Sequence, residues 1–400
     1  MSGPISVQRL VVCTLLVMLA TVPAAHAQTA DDLFAPATLH DLQVFMNTRD
    51  LQQLRETYLE NTYYQADLEW RGTRVRSVAI RSRGFGSRNP VKPGLLIDFD
   101  RFAAGQRFLG LESLVVDNHW QDGSLVREAV TMGLFERMGQ AAPRESFTRL
   151  FINGDYQGVY AFVEAVDPVF LSRAFGDPGG YAFEYHWLNE FHGEYLGRSL
   201  DRYKELFEPA THEFDADTPL YLPLHDLFRQ INASPSATWR ESVERLLDVR
   251  GFLTHIAVEM FVSENDGILG NWAMNNFYLY RPSASTEHRF IPWDRDNAFL
   301  GADTSILLRA GDNLLMRRLL EHPDLREFYL QALERCASEG GWLEQAIVAR
   351  ANLIRAAVHA DERKQFPNDK FESEVAFLSE FARARPGFVL AEVARLRRAP

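Results

Sequence analysis

Phe290-Ile291-Pro292-Trp293-Asp294-Arg295-Asp296-Asn297-Ala298-Phe299-Leu300-Gly301 is the stretch on which the fold turns. A short apolar strand runs into two carboxylates spaced two residues apart. Hard cations such as Mg²⁺ take one or two carboxylates together with phosphate oxygens, and this pair suits them. The ordinary alternative is a turn in which Asp294 caps a backbone amide and Asp296 pairs with an arginine.

Upstream lies Asn265-Asp266-Gly267-Ile268-Leu269-Gly270-Asn271, leading to Asn275-Asn276-Phe277-Tyr278-Leu279-Tyr280. It follows an apolar helix expected over 251–264 and precedes a strand expected over 276–280. Asp266 and Asn271 are five apart. That is the spacing of a kinase catalytic loop, in which the Asp accepts the hydroxyl proton and the Asn holds a metal. An Asn/Gly-rich turn capping its own backbone would look the same on spacing alone. Further upstream, Ile80-Arg81-Ser82-Arg83-Gly84-Phe85-Gly86-Ser87-Arg88, with Lys92 beyond it, combines backbone freedom with cations. Main-chain N–H groups of a glycine turn can approach an anion that Arg or Lys neutralises. A solvated basic hairpin tip is the competing reading. In combination the three segments give cations first, Asp and Asn in the middle and paired Asp last. This is the chain order of phosphoryl transfer in kinases.

The surrounding pattern predicts an α+β fold. Residues 65–70 and 75–81 alternate as strands around an Arg71-Gly72-Thr73 turn, and 95–99, 113–116, 147–152 and 158–164 read as further strands. Ser124 is placed to cap a helix that runs to Met138 and stops at Gly139. Residues 176–235 carry weak periodicity and read as long loops. Beyond 251 the chain reads as helical, apart from a hairpin over 276–280 and 289–293; the last helix is expected over 372–383. The domain organisation expected is a strand-rich N-terminal lobe over 38–165 and a mainly helical C-terminal lobe over 166–398, with the ligand cleft between them.

The 400 residues carry 42 Lys and Arg against 54 Asp and Glu, a net charge of −12. Such a balance is ordinary for a globular protein and excludes disorder and collagen. It also disfavours general nucleic-acid binding, which requires a basic field. Residues 1–27 stand apart: Arg9 is their only charge, 10–22 are apolar, and Ala25-His26-Ala27 is a small-x-small cleavage site. This reads as a signal peptide cleaved after Ala27, giving a secreted or periplasmic protein with no stable membrane insertion. The apolar run is too short to span a bilayer comfortably. The remainder carries 41 basic and 54 acidic residues and a single cysteine, Cys336, so no internal disulfide can form. Cys336 is expected to pack as a small apolar side chain.

Over roughly residues 41–383 the sequence resembles the CotH family of atypical, secreted or spore-coat protein kinases. The resemblance rests on Ile80 to Gly84 with Ser87, Arg88 and Lys92; on Val126-Arg127-Glu128 with Ala142-Pro143-Arg144; and on Asn153-Gly154-Asp155-Tyr156-Gln157-Gly158-Val159-Tyr160. Val163-Glu164-Ala165-Val166-Asp167, Asn276-Phe277-Tyr278 and Pro292-Trp293-Asp294-Arg295-Asp296 complete the series. It implies a divergent bilobal protein-kinase-like fold, ATP with Mg²⁺ or Mn²⁺, and a protein substrate phosphorylated on Ser or Thr. By the same resemblance Arg81, Arg83, Ser87, Arg88 and Lys92 surround the nucleotide phosphates, and Glu128 orients Lys92. Glu164 lies near the hinge where adenine sits. Asp266 is the base, Asp294 with Asp296 binds metal, and Asn271 or Asn276 completes the metal site. The sequence departs from ordinary kinases in lacking H-R-D and D-F-G triplets, and Pro93-Gly94 follows Lys92.

Two other classes of function compete: a non-catalytic nucleotide- or ligand-binding envelope or surface protein with a kinase-like fold, and a metal-dependent phosphohydrolase. His119 and Trp120 read as a packed aromatic shelf, and His186 as a half-buried histidine. His212 and His225 lack partners for a zinc site. No Gly-x-Ser-x-Gly elbow is present, which argues against an α/β-hydrolase.

Overall fold

A computed structural model describes residues 27–234 and 237–398. The expected signal peptide lies outside the described residues except for Ala27. Seven strands form a closed barrel: β1 (Leu39–Met46), β2 (Tyr64–Trp70), β3 (Thr73–Arg83), β4 (Gly94–Asp98), β5 (Ser113–Asp117), β6 (Glu145–Ile152) and β7 (Asp155–Val163). Their order is β1-β2-β3-β4-β5-β7-β6. Every neighbouring pair is antiparallel except β1 and β6, which run parallel from Leu39 opposite Phe147 to Val44 opposite Ile152 and close the barrel. Alternate side chains fill the interior, among them Leu42, Val44, Leu68, Trp70, Ile80, Ile97, Val116 and Phe162. The β2–β3 turn takes positive φ at Arg71 and Gly72 (47° and 77°), and the β6–β7 turn at Asn153 and Gly154 (52° and 83°). Such mirror-image turns match the strand twist.

The Arg127–Arg137 helix links β5 to β6. Its first turn is held by Asp122, not by the expected Ser124. One Asp122 oxygen accepts from Arg127 N at 2.9 Å, and the other from Ser124 N and Oγ at 2.8 and 2.7 Å. A carboxylate there also complements the positive end of the helix dipole. Gly139, at φ 77°, follows the helix end as expected. Ala129, Val130, Met132, Leu134 and Phe135 join a large core centred on the Val249–Phe261 helix.

Residues 176–235 hold more structure than their pattern suggests. Strands β8 (Tyr181–Tyr185) and β9 (Phe207–Pro209) pair with β10 (Phe277–Arg281) and β11 (Arg289–Pro292) in an antiparallel sheet of order β11-β10-β8-β9. A helix follows at Asp217–Ile231 despite Pro223 inside it. The expected 276–280/289–293 hairpin is therefore half of a larger sheet. The helices Pro323–Ser338, Gly340–His359 and Asn368–Arg398 complete the helical part; the last continues through Pro386, beyond the stop expected at 383. Cys336 is fully buried, as expected. No described helix is long and apolar enough to cross a membrane.

Between the last two helices the chain returns to the barrel. Asp361, fully buried, accepts from Lys92 Nζ at 2.8 Å and from Val159 N at 3.0 Å. Tyr156 Oη donates to Ala357 O at 3.0 Å, and Arg363 pairs with Asp155 at 2.7 Å. Gly158 makes this approach possible: its φ is 117°, and a Cβ there would collide with the Asp361 carboxylate. Gly158→Ala is accordingly expected to destabilise the fold by about 2–4 kcal/mol through strain and displacement of Asp361. Denaturant titration checks it; a midpoint equal to the parent's would rule out the close approach.

Candidate active site

The Val249–Phe261 helix carries His255 and Glu259 on one buried face, four residues apart. Arg295 reaches them from the Asp294–Asp296 turn. Its Nη2 lies 2.8 Å from Glu259 Oε1 and 3.1 Å from His255 Nε2, and all three side chains are fully buried. Glu259 also accepts from Ile268 N at 3.2 and 3.0 Å. A Cβ on Gly267 would lie 2.6 Å from Glu259 Oε1 and 2.8 Å from Arg295 Nη1, so glycine is required there. Arg295 thus stands between two aspartates in sequence but serves as the bolt joining the two acidic loops.

The loops meet again at Asn276, whose carbonyl accepts from Trp293 N at 3.2 Å. Its side-chain amide donates to Asp266 Oδ2 and to the Asp266 carbonyl, both at 3.1 Å. Asn275, not anticipated, donates to Asp266 Oδ1 at 2.9 Å. Asn271 is exposed and its amide is bonded to Asn265 Oδ1. The two asparagines left open by spacing therefore separate: Asn276 sits on Asp266 and Asn271 does not. Asp296 accepts from its neighbour Asn297 at 2.7 Å; Arg295, committed to Glu259, is not its partner. Asp294 holds φ at 49°, a conformation costing a β-substituted residue about 1 kcal/mol or more.

Carboxylates gather around this point. Burial pushes Asp294 up to about 6, reinforced by Asp117 and Asp266 and partly offset by Arg83. Asp296 rises well above its usual range through burial, then Asp294, Asp117, Asp122 and Glu264. Glu128 rises likewise, through burial and then Glu145, Asp294 and Asp117. Both Glu145 oxygens and Glu264 Oε2 are buried without a hydrogen-bond partner. Burial also raises Asp266, against the bonds from Asn275 and Asn276. Asp117 and Glu145 were not anticipated. The signal for Asp117 was present: Leu-Val-Val-Asp at 114–117 repeats the strand-then-aspartate pattern read at 290–294.

Arg83 is the cation facing this cluster. Its Nη1 lies 3.7 Å from Asp117 Oδ2, and its guanidinium lies 5.5 Å from the Trp293 ring centroid. Burial alone would lower its pKa; Asp117, Glu184, Tyr278 and Asp294 outweigh that and hold it above the ordinary value. Two of the other expected phosphate contacts, Arg81 and Arg88, are otherwise engaged. Arg88 donates to Gly84 O, Tyr58 O, Glu60 O and Asn61, and Arg81 to Asn61 and to Tyr63 Oη. The Ser87 carbonyl accepts from Asn118 at 3.0 Å. The expected pairing of Lys92 with Glu128 is corrected: Lys92 is sealed against Asp361, because the return of residues 361–364 to the barrel brings a carboxylate closer than the helix does. Glu164 is held by two arginines that the sequence did not point to. Its buried carboxylate pairs with Arg144 at 2.8 Å and with Arg173 at 2.6 Å.

A groove of about 470 Å³ opens beside the cluster, lined by Gln121, Asn265, Asp296 and Asn297 on one side and by Lys370 and Phe377 on the other. Among the described residues no three His, Cys, Asp or Glu side chains converge tightly enough to hold a metal unaided.

The model of the CotH kinase protein family matches residues 80–389. The chain belongs to the CotH kinase family. A curated relative, inner spore coat protein H of Bacillus subtilis (strain 168), is 25% identical over 360 residues, spanning 87% of this chain and 95% of that protein. Among solved structures, the Helicobacter pylori proinflammatory kinase CtkA is 11% identical, with a TM-score of 0.35 over 78% of this chain and 95% of that one. The Golgi casein kinase with Mn/ADP bound is 10% identical, with a TM-score of 0.31 over 92% of this chain and 76% of that one. Membership in the CotH kinase family makes this a kinase-like protein, and the strand-rich barrel followed by a helical part is its α+β, kinase-like fold.

The electrostatics carry a pH signature. Burial pushes Glu264 up to about 7 from an ordinary 4.5. A carboxyl raised in this way favours the folded state least when ionised, so stability is lost as pH climbs from the ordinary value through the folded one. Glu264→Gln removes that loss. It is expected to stabilise by about 1–3 kcal/mol at pH 8 and by little at pH 4. Melting curves at both pH values decide it; an equal shift at the two would remove Glu264 as the source.

Proposed function

We propose that the protein is an exported atypical kinase that transfers the γ-phosphate of ATP to Ser or Thr hydroxyls of a protein. The observation that carries the reading is convergence: Arg83, Asp117, Asp266 with Asn276, and Asp294 come from four distant stretches and act on one another in one place. A divalent cation fits this chemistry, since the donors are hard oxygens, several are raised by burial and then by mutual repulsion, and Glu145 and Glu264 have buried oxygens without partners. Asp294, Asp296 and Asn276 would hold Mg²⁺ or Mn²⁺, with phosphate oxygens completing the set. The cation would supply charge neutralisation on the β- and γ-phosphates. Arg83 offsets the remaining phosphate charge. Asp266, steadied by Asn275 and Asn276, orients the acceptor hydroxyl and takes its proton. The hydroxyl oxygen bonds to the γ-phosphorus as the bond to the bridging oxygen breaks, and ADP leaves. Positioning and charge complementarity supply most of the rate.

A second reading, a nucleotide-binding module without turnover, is favoured by one observation: Lys92 is fully buried and its ammonium is paired with Asp361. Export is supported by Arg9, the apolar run and Ala25-His26-Ala27.

The chain from Gln28 is incubated with γ-labelled ATP, Mg²⁺ or Mn²⁺ and a Ser-rich acceptor. Label is expected on the protein itself or on the acceptor, with a loss of about 100-fold or more in Asp294→Ala and in Asp266→Asn. ATP binding that persists with no transfer at all would favour the second reading. Free phosphate without labelled acceptor would point to hydrolysis. Arg83→Ala is expected to raise the KM for ATP more than it lowers kcat, since Arg83 meets phosphate before and during transfer.

A further inference from the structure

We infer that Asp361 is a positioning residue of the active site, acting through Lys92 on the turn that presents Asp117 to Arg83. The inference rests on the reading of that site given above. Asp361 follows the Gly340–His359 helix, far in sequence from every acidic loop. Its Oδ1 accepts from Arg363 N and Lys364 N at 2.9 and 3.0 Å, so the carboxylate is fixed by its own turn. Its Oδ2 accepts from Val159 N on the barrel and from Lys92 Nζ. Lys92 has no other ion pair among the described residues, and its ammonium lies 5.1 Å from the Tyr160 ring centroid.

The path continues through short bonds. The Lys92 carbonyl accepts from Asn118 Nδ2 at 2.7 Å, and Asn118 Oδ1 accepts from Trp120 N at 3.1 Å. Asp117 Oδ1 accepts from His119 N at 2.8 Å, while Asp117 Oδ2 faces Arg83. His119 holds φ at 52°, which the chain keeps only where its surroundings fix it. A carboxylate from the last quarter of the chain thereby sets Lys92, Lys92 sets Asn118, and Asn118 sets the turn on which Asp117 stands. The support comes from the helical part, whereas the resemblance placed it on Glu128. A shift of about 1 Å in such a support is enough to lower a rate severely.

The test uses the chain from Gln28 with two variants. Asp361→Asn strands the Lys92 charge in the interior and is expected to melt early. Lys92→Met combined with Asp361→Asn removes both charges of the pair, keeps an amide oxygen for Arg363 N and Lys364 N, and is expected to melt well above Asp361→Asn alone. In that folded double variant, amide hydrogen exchange at residues 118–120 is expected to quicken about ten-fold as the turn loosens. The KM for Mg-ATP is expected to rise about ten-fold, with a smaller change in kcat. Exchange at 118–120 unchanged from the parent, in a double variant that folds, would overturn the inference. A parent chain that transfers no phosphate would strike the kinase reading instead, and the exchange measurement would still decide the role of Asp361.

Discussion

The pairing of Arg295 with Glu259 is the constraint on which the site depends. Two opposite charges are taken fully out of water, at a desolvation cost that only close geometry offsets. Each residue belongs to a different loop system: Arg295 to the turn after β11, Glu259 to the helix that feeds the Asp266 loop. Once the pair is formed, Ile268 N has its acceptor and Gly267 its tight fit, so both loops are fixed by one bond. Removing one partner would leave an uncompensated charge in the interior, which costs about 3–5 kcal/mol. The pair gives the loops one relative position, and Asp266 and Asp294 inherit it.

What the loops present is a concentration of negative charge that a folded chain does not hold willingly. Burial, and then the charge of one another and of Asp117, raises the proton affinity of Glu128, Glu145, Asp294 and Asp296, and Arg83 is the cation that answers Asp294. Stability has been traded for a site with stored electrostatic demand, a pattern typical of places where charge is to be bound or moved. A cation with a phosphate chain satisfies both halves of that demand, since the metal answers the carboxylates and Arg83 answers the phosphate.

Much of this was legible beforehand, for identifiable reasons. The β2–β3 and β6–β7 hairpins announce themselves through period-two alternation and Arg-Gly or Asn-Gly turns, and the helices after 313 through apolar spacing. Asp294 stood out because it directly follows an apolar run, and Asp266 because Asn271 stands five residues beyond it. Strand β1 and the β8–β9 pair were not read, because their partners lie far away in sequence and a strand's pairing leaves no local mark. The partners of Lys92 and Glu164 were not foreseen for a related reason. A side chain's partner is set by whichever segment folds back onto it: residues 361–364 for Lys92, Arg144 and Arg173 for Glu164. Asn271 and Asn276 could be separated only once the loop's path brought one of them onto Asp266.

The return of residue 361 to the barrel has a consequence for synthesis. A nascent chain already carries every acid of the cluster well before Asp361 leaves the ribosome. Until that residue arrives, Lys92 has a buried place waiting and no counter-charge to enter it with. The barrel and the acidic loops are then all present, yet the prop beneath Asp117 is missing. Competence comes late, with the final two helices, and a chain released early is a shell that lacks its keystone.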